Sequence, residues 1–190
     1  MQEIKIQRAS PCHAEQIIDV HLKSWITTYS KFFEKEVFEA REQVREQRVE
    51  QKKIQIENSD HTFNLVALSG EKVVGFLTYT LNNNYKEFEQ FPIINALYLL
   101  KEYQKQGVGT RLLRTACNEL ATLGAEFVLV GVLNGNNAEE FYQKFGGEKI
   151  FVDQAKIGTK TFDEIFYSID LKKFSKPKNR KQINLILPNK

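Results

Sequence analysis

The sequence predicts an α/β (α+β) domain in which helices flank a mixed, mostly antiparallel sheet of about seven strands, with one parallel strand–helix–strand crossover. Three observations carry that reading. Ile93–Leu100 is an apolar run broken only by Asn95, rich in β-formers and too short for a helix; Phe127–Val132 is a second such run, apart from Gly131. Between them a glycine turn opens a segment in which Val108, Leu112, Leu113, Ala116, Leu120 and Leu123 recur at spacings of one, three and four, the stripe of an amphipathic helix. Strand, helix and strand in about 40 residues make a parallel crossover, whereas the remaining apolar segments are short and pair about turns.

Taken in order, Ile4-Lys5-Ile6 alternates as a first strand. Ser10-Pro11 starts a helix, with Ser10 able to cap and Pro11 fixing φ in the first turn. That helix is expected to turn Ile17, Ile18, Leu22, Trp25 and Ile26 inward. Its end holds a dense aromatic group, Trp25, Tyr29, Phe32 and Phe33, which reads either as core or as a pocket wall. Glu34 to Glu57 reads as one long helical stretch of mixed charge, a solvated lid with Val37, Phe38, Val44, Val49 and Ile56 as a thin apolar seam. Phe63–Leu68 and Val73–Leu81 form a hairpin about Ser69-Gly70-Glu71-Lys72. A loop from Asn82 to Pro92, with Tyr85, Phe88 and Phe91, delivers the chain to the central strand. After the crossover, Asn134–Asn137 leads into a short helix, Ala138–Phe145, stopped by Gly146-Gly147. Ile150–Ile157 and Thr161–Ile169 then close the sheet as a hairpin about Gly158-Thr159.

The 190 residues suffice for one domain with a real core. No apolar run approaches the roughly 20 residues of a membrane span, and MQEIKIQRAS has no apolar segment behind its charges to act as a secretory signal. Cys12 and Cys117 lie far apart and suggest neither a disulfide framework nor a metal site, so a cytoplasmic setting is expected. His13, His21 and His61 have no ligand spacing around them; no metal is expected. The net charge of +3 is unevenly placed. Lys172, Lys173, Lys176, Lys178, Arg180, Lys181 and Lys190 follow Leu171 with no acid among them, and removing those seven from the 27 basic residues leaves 20 against 24 acidic ones, a body of net −4. The expected division is therefore a domain at 1–171 and a basic tail at 172–190, in which Asn184–Leu187 could dock as a strand. A basic tail can touch nucleic acid or another subunit, but a solvated terminus is the simpler reading.

The chemistry centres on Gly107-Val108-Gly109-Thr110. Glycines between a strand and a helix let an anion approach the main chain, and the unpaired N–H groups and dipole of the helix's first turn favour negative charge there. A Walker A loop would need Gly-Lys-Ser/Thr, and a dinucleotide fingerprint a third glycine where Leu112 stands; both fail. A plain strand–helix turn is the alternative. What remains is Gln104-x-x-Gly107-x-Gly109. A second pattern, Asn136-x-Ala138-x-x-Phe141-Tyr142-x-x-x-Gly146, lies at the short helix, and the closing strand reads Phe166-Tyr167-Ser168-Ile169-Asp170-Leu171.

Those segments, in that order of elements, resemble the GCN5-related N-acetyltransferases over roughly residues 3–171. The resemblance implies an acyltransferase that uses acetyl-CoA and an amine acceptor, with the two central strands splayed around the pantetheine arm. It implies that backbone groups of Leu97 and Leu99 pair with pantetheine amides, and that the pyrophosphate lies on N–H groups of Gln106, Gly107, Val108, Gly109 and Thr110 beside Gln104. It gives the Leu99 N–H the oxyanion and Tyr142 the proton for the leaving thiolate; a phenol of pKa near 10 is close to a free thiol. Asn136 either bonds the cofactor or caps the helix. Trp25 and Tyr29 are candidates for the acceptor wall.

The chain departs from the family in one chemical respect. The glutamate that many relatives carry at the start of the central strand is replaced by Ile93 and Ile94, which leaves Glu87, Glu89 or bulk water to take the proton. Lys101, where many relatives have proline, resembles the polyamine-acetylating branch. A small amine or polyamine is the favoured acceptor, and a mildly acidic body would attract a cation. The alternative is a non-catalytic acyl-CoA-binding module. A homodimer is possible, as relatives often pair; a membrane partner is not expected.

Overall fold

The computed structural model describes residues 3–174. Seven strands, β1 (Ile4–Arg8), β2 (Thr62–Ser69), β3 (Lys72–Thr80), β4 (Ile93–Leu99), β5 (Phe127–Leu133), β6 (Gly147–Ile157) and β7 (Lys160–Asp170), form one sheet. Their order is β1-β2-β3-β4-β5-β7-β6. All neighbours are antiparallel except β4 and β5. The helices are α1 (Ala14–Tyr29), α2 (Lys35–Gln43), α3 (Arg45–Glu57), α4 (Val108–Thr122) and α5 (Ala138–Lys144). The α4 crossover joins the parallel pair, as the sequence predicts.

Helices cover both faces of β2 and β3, which is why these strands read as nearly continuous apolar runs. On one face Leu65, Ala67, Val74, Leu77 and Tyr79 pack with Leu112, Leu113, Ala116 and Leu120 of α4. On the other, Val66, Leu68, Val73 and Phe76 pack with Ile17 and Val20 of α1. The loop before β4 folds its rings Tyr85, Phe88 and Phe91 over Ile93, Leu129, Phe151 and Phe166, and the Asn83 amide holds it by donating to the carbonyls of Phe88 and Phe91.

Four expectations need correction. Ile26 is 49 % exposed, because Trp25 and Tyr29 hold the inward positions and the next residue lies about 100° around the helix. Leu123, past the last turn of α4, is 63 % exposed. The stretch 34–57 is two helices, broken at Val44, whose φ of −101° and ψ of 17° are not helical. Val44 faces solvent, and α3 lies along α1 instead of covering the fold as a lid: Arg45 pairs with Asp19 and Glu15, while Arg48 reaches His21. Finally, β6 begins at Gly147, earlier than its apolar residues suggest, because Gly146 at φ 94° turns the chain straight out of α5. His13 serves the backbone, since its Nδ1 accepts from the Ser10 N–H at 2.9 Å and closes the start of the first helix.

Leu171 is fully buried, and Lys172–Phe174 make one 3-10 turn that stacks Phe174 on Phe145 at 5.5 Å. Asn184–Leu187 lies outside the described residues. Among the described residues no helix is long and apolar enough to cross a membrane, and no cluster of His, Cys, Asp and Glu could hold a metal ion.

Candidate active site

The site begins as a fork in the sheet. The parallel register of β4 and β5 consists of Ile93 opposite Leu129 and Ile94 opposite Val130; beyond these the strands part. The register of β4 on its other neighbour also slips, between Thr78 and Tyr79 of β3, and leaves Asn95 as the extra residue. Such a bulge bends a strand away from its former direction. Leu100 donates its N–H to Val74 of β3 at 2.9 Å, so by the alternation of a strand the main-chain groups of Leu97 and Leu99 face the opening. The Leu99 carbonyl is occupied, accepting from Ser24 Oγ at 3.0 Å and Gln104 Nε2 at 3.1 Å. Gln104 thus ties the turn to the end of β4. The opening is a cleft of about 710 Å³, walled by Ala96–Leu99 on one side and Val130–Val132 on the other.

At the carboxyl end of β4 the chain turns through Lys105 (φ 58°) and Gly107 (φ 79°) into α4. Only Gly107 needs a missing Cβ for its conformation, since the space around it is open. Gly109 is helical, and its requirement is proximity: a Cβ there would come within 3.1 Å of Leu99 Cδ1. The first intrahelical bond runs from Arg111 N–H to the Gly107 carbonyl at 3.0 Å. Gly107, Val108, Gly109 and Thr110 therefore have N–H groups with no helical acceptor. The Val108 side chain is buried, so only its main chain faces outward. The Gln106 amide donates to the Glu102 carbonyl at 2.7 Å, which fixes the turn. Beside Thr110 a second groove carries Arg114, Lys144 and Lys173.

Tyr142 lines the cleft from α5, is 5 % exposed, and has no hydrogen bond from its hydroxyl among the described residues. Burial, chiefly, pushes its phenol above the usual range, so it stays protonated. Asn136 shapes the start of α5, its Oδ1 accepting from the Ala138 N–H at 3.0 Å. Its Nδ2 donates to the Tyr29 hydroxyl at 3.3 Å. Tyr29 lines the cleft, with its hydroxyl 3.5 Å from that of Tyr98. Trp25 does not line the cleft; it stands behind Tyr98 and donates Nε1–H to its hydroxyl at 3.0 Å.

Tyr98 is the lining residue that reading the sequence misses. It sits inside an apolar run where only the alternation of β4, with Leu97 and Leu99 toward α4 and Tyr98 toward α1, would have singled it out. Glu87 and Glu89, the two loop carboxylates, are exposed and do not line the cleft.

The Acetyltransferase (GNAT) family model matches residues 22–147. Among solved structures, PaiA N-acetyltransferase from Thermoplasma acidophilum, in complex with coenzyme A, is similar at TM-score 0.67 and 22% identity over 85% of this chain and 98% of that one. An N-acetyltransferase from Staphylococcus aureus Mu50 is similar at TM-score 0.70 and 18% identity, over 90% and 99% of the two chains. An acetyltransferase from Thermus thermophilus is similar at TM-score 0.62 and 19% identity, over 90% and 99%. At such identities these likenesses are likenesses of fold. No curated protein matches the sequence.

Proposed function

The chain belongs to the acetyltransferase (GNAT) family, and from that premise we propose that it transfers the acetyl group of acetyl-CoA to a primary amine, a small molecule or polyamine, by direct attack. Acetyl-CoA supplies an acyl group activated as a thioester. The observation that best supports the reading is the parting of β4 from β5 beside the N-terminus of α4. An extended arm of amides fits between two strands whose facing main-chain groups are unpaired, as an added strand would. Leu97 and the Leu99 N–H offer those groups. The four N–H groups at Gly107–Thr110 suit a diphosphate, each such hydrogen bond contributing roughly 1.5–3 kcal/mol. Arg114, Lys144 and Lys173 suit further phosphate nearby. On this reading residues 1–171 form the acetyltransferase domain, and Asn136 acts by shaping the turn into α5 and orienting Tyr29 rather than by holding the cofactor.

The Leu99 N–H points into the fork and serves the oxyanion as the amine adds. Tyr142 holds the proton that the departing sulfur needs. Among the described residues its hydroxyl has no partner to give up first, and burial keeps it protonated across the pH range in which amines are acetylated. Trp25 and Tyr29 belong to the acceptor side, Trp25 by fixing Tyr98 and Tyr29 by lining the cleft.

Thiol release from acetyl-CoA tests the proposal, measured across a panel of diamines, polyamines and aminoacyl compounds for the wild type and Tyr142→Phe. We expect the phenylalanine variant to lose about 10²-fold or more in kcat with its acetyl-CoA Kd retained. Undiminished turnover in that variant would remove the phenol from the mechanism. Cofactor binding without turnover on any amine would make the protein an acyl-CoA-binding module.

A further inference from the structure

An amine at neutral pH arrives protonated and must shed a proton before it can attack. The cleft offers little to take it. Glu140 is the carboxylate among its lining residues, and it is exposed and paired with Lys144 at 3.1 Å. One strand further from the cleft there is a better placed group.

Strand alternation puts four residues on the same face of the sheet as α1. Tyr98 on β4 packs there against Trp25 and Tyr29. On β5, Leu129 and Leu133 join the clusters of that face, so Gly131 between them faces the same way. On β7, Phe162 and Phe166 do the same, which brings Glu164 to that face between them. Opposite Glu164 on β6 stands Asp153. Gly131 lines the cleft, and it is the residue over which Glu164 leans: a Cβ on Gly131 would collide with the Glu164 carboxylate. The missing side chain lets that carboxylate lie directly against the cleft-lining backbone.

The Glu164 side chain is half-buried and makes no hydrogen bond or ion pair among the described residues. Its cross-strand neighbour is another acid, an arrangement that costs stability unless a cation answers it. Aromatic walls on both sides, Tyr98 and Phe162 toward α1 and Tyr85 with Phe166 toward the loop, shelter the position. Sheltered aromatic surface with a carboxylate beyond it suits an alkylammonium.

Building on the acetyl transfer proposed above, we propose that Glu164 is the general base of the reaction, reaching the acceptor's ammonium across Gly131 from β7. One N–H proton of the ammonium passes to the Glu164 carboxylate, and the freed lone pair forms the C–N bond at the thioester carbonyl. The C–S bond breaks, sulfur takes the phenolic proton of Tyr142, and a second N–H proton restores the phenol. The third remains on the amide, and the proton on Glu164 returns to water. Burial, and then the Asp153 charge, raise the Glu164 carboxyl above the ordinary carboxylate range, which makes it a stronger base than an exposed glutamate. The titratable groups facing it are Asp153 on β6, Tyr85 on the loop and Tyr98 on β4.

The experiment compares wild type with Glu164→Gln, using whichever amine of the panel the wild type acetylates best. We expect kcat to fall about 10²- to 10⁴-fold with acetyl-CoA affinity unchanged. The acid limb of the wild-type pH–rate profile, lying above the ordinary glutamate value of about 4.3, should vanish in the variant. A variant that keeps the wild-type kcat and acid limb overturns the base assignment while leaving acetyl transfer intact; so does one that loses only in KM, which would make Glu164 a docking group. A wild type that binds acetyl-CoA but acetylates nothing in the panel overturns both proposals.

Discussion

His21 lies behind the acceptor wall, its ring 4.7 Å from that of Tyr98 and edge-on to Trp25 and Phe76. Arg48 Nη2 approaches its Nδ1 at 2.8 Å, and since a guanidinium only donates, Nδ1 must accept and the ring is neutral. Burial, first, and then the charges of Arg48, Arg41 and Lys52 lower its pKa to about 3. The unfolded chain takes up that proton at about 6.5, the native one only near 3, so stability is lost as pH falls through that window. The full window corresponds to about 5 kcal/mol, and roughly 2 kcal/mol of it is spent by about pH 5. This is a large part of the 5–15 kcal/mol a domain commonly has. His21→Gln removes the titration. Urea unfolding followed by fluorescence of Trp25, the single tryptophan, should show wild type losing about 2 kcal/mol more than the variant between about pH 7 and 5. Equal losses in the two proteins would refute a neutral, buried histidine. The same result sets the working range for kinetics, because below about pH 5 a falling rate would mix unfolding with any titration in the site.

Two glycine substitutions separate conformation from space. Gly107→Ala puts a Cβ into open surroundings at a left-handed backbone, so thermal unfolding should report a loss of about 1–2 kcal/mol, and isothermal calorimetry a weaker acetyl-CoA complex; an unchanged midpoint would mean the turn accepts alanine without strain. Gly131→Ala drives a methyl against the Glu164 carboxylate and to 3.0 Å from a Phe166 ring carbon. Since the carboxylate is the mobile end of its side chain, stability should hold, while kcat falls about tenfold or more if Glu164 takes the proton; a full rate would count against that role.

How much of this was legible depends on whether a feature is local. Gly107 and the stripe from Val108 to Leu120 announce themselves, since a positive φ and a 3.6-residue period are each written in a few neighbouring residues. The strands were plain too, β1 in its alternation and the others in short apolar runs, although β6 starts before its run does. The fork is not written in those runs and was expected only from the family resemblance, because it arises from a register slip at Asn95 measured against β3 and from where β5 stops pairing. The break at Val44 carries neither glycine nor proline to mark it. Charge misled most. Arg48 and Lys52 looked like a solvated face of a lid, yet they turn inward on α3, where Lys52 meets Asn64 and burial lowers its pKa to about 8. Nothing local singled out Glu164, and only pairing with β5 and β6 reveals what it faces.

Alternation also gives the proposed chemistry its place. Along β4, Leu97 and Leu99 face α4 and Tyr98 faces α1, so the sheet divides the surroundings of the fork in two. Tyr142 packs with the α4 face, whereas Tyr29, Gly131 and Glu164 belong with the α1 face. A closed sheet would keep a proton donor on one face from ever meeting a nucleophile activated on the other. Because β4 and β5 part, the cleft touches both Tyr142 and Tyr98. On the proposed mechanism, a carbonyl held in the gap would have the attacking amine on one side and its leaving sulfur on the other. The backbone N–H of Leu99 lies between them, in the strand itself. On the proposed mechanism Tyr142 and Glu164 would act from opposite faces of the sheet, joined only by a substrate that bridges the opening.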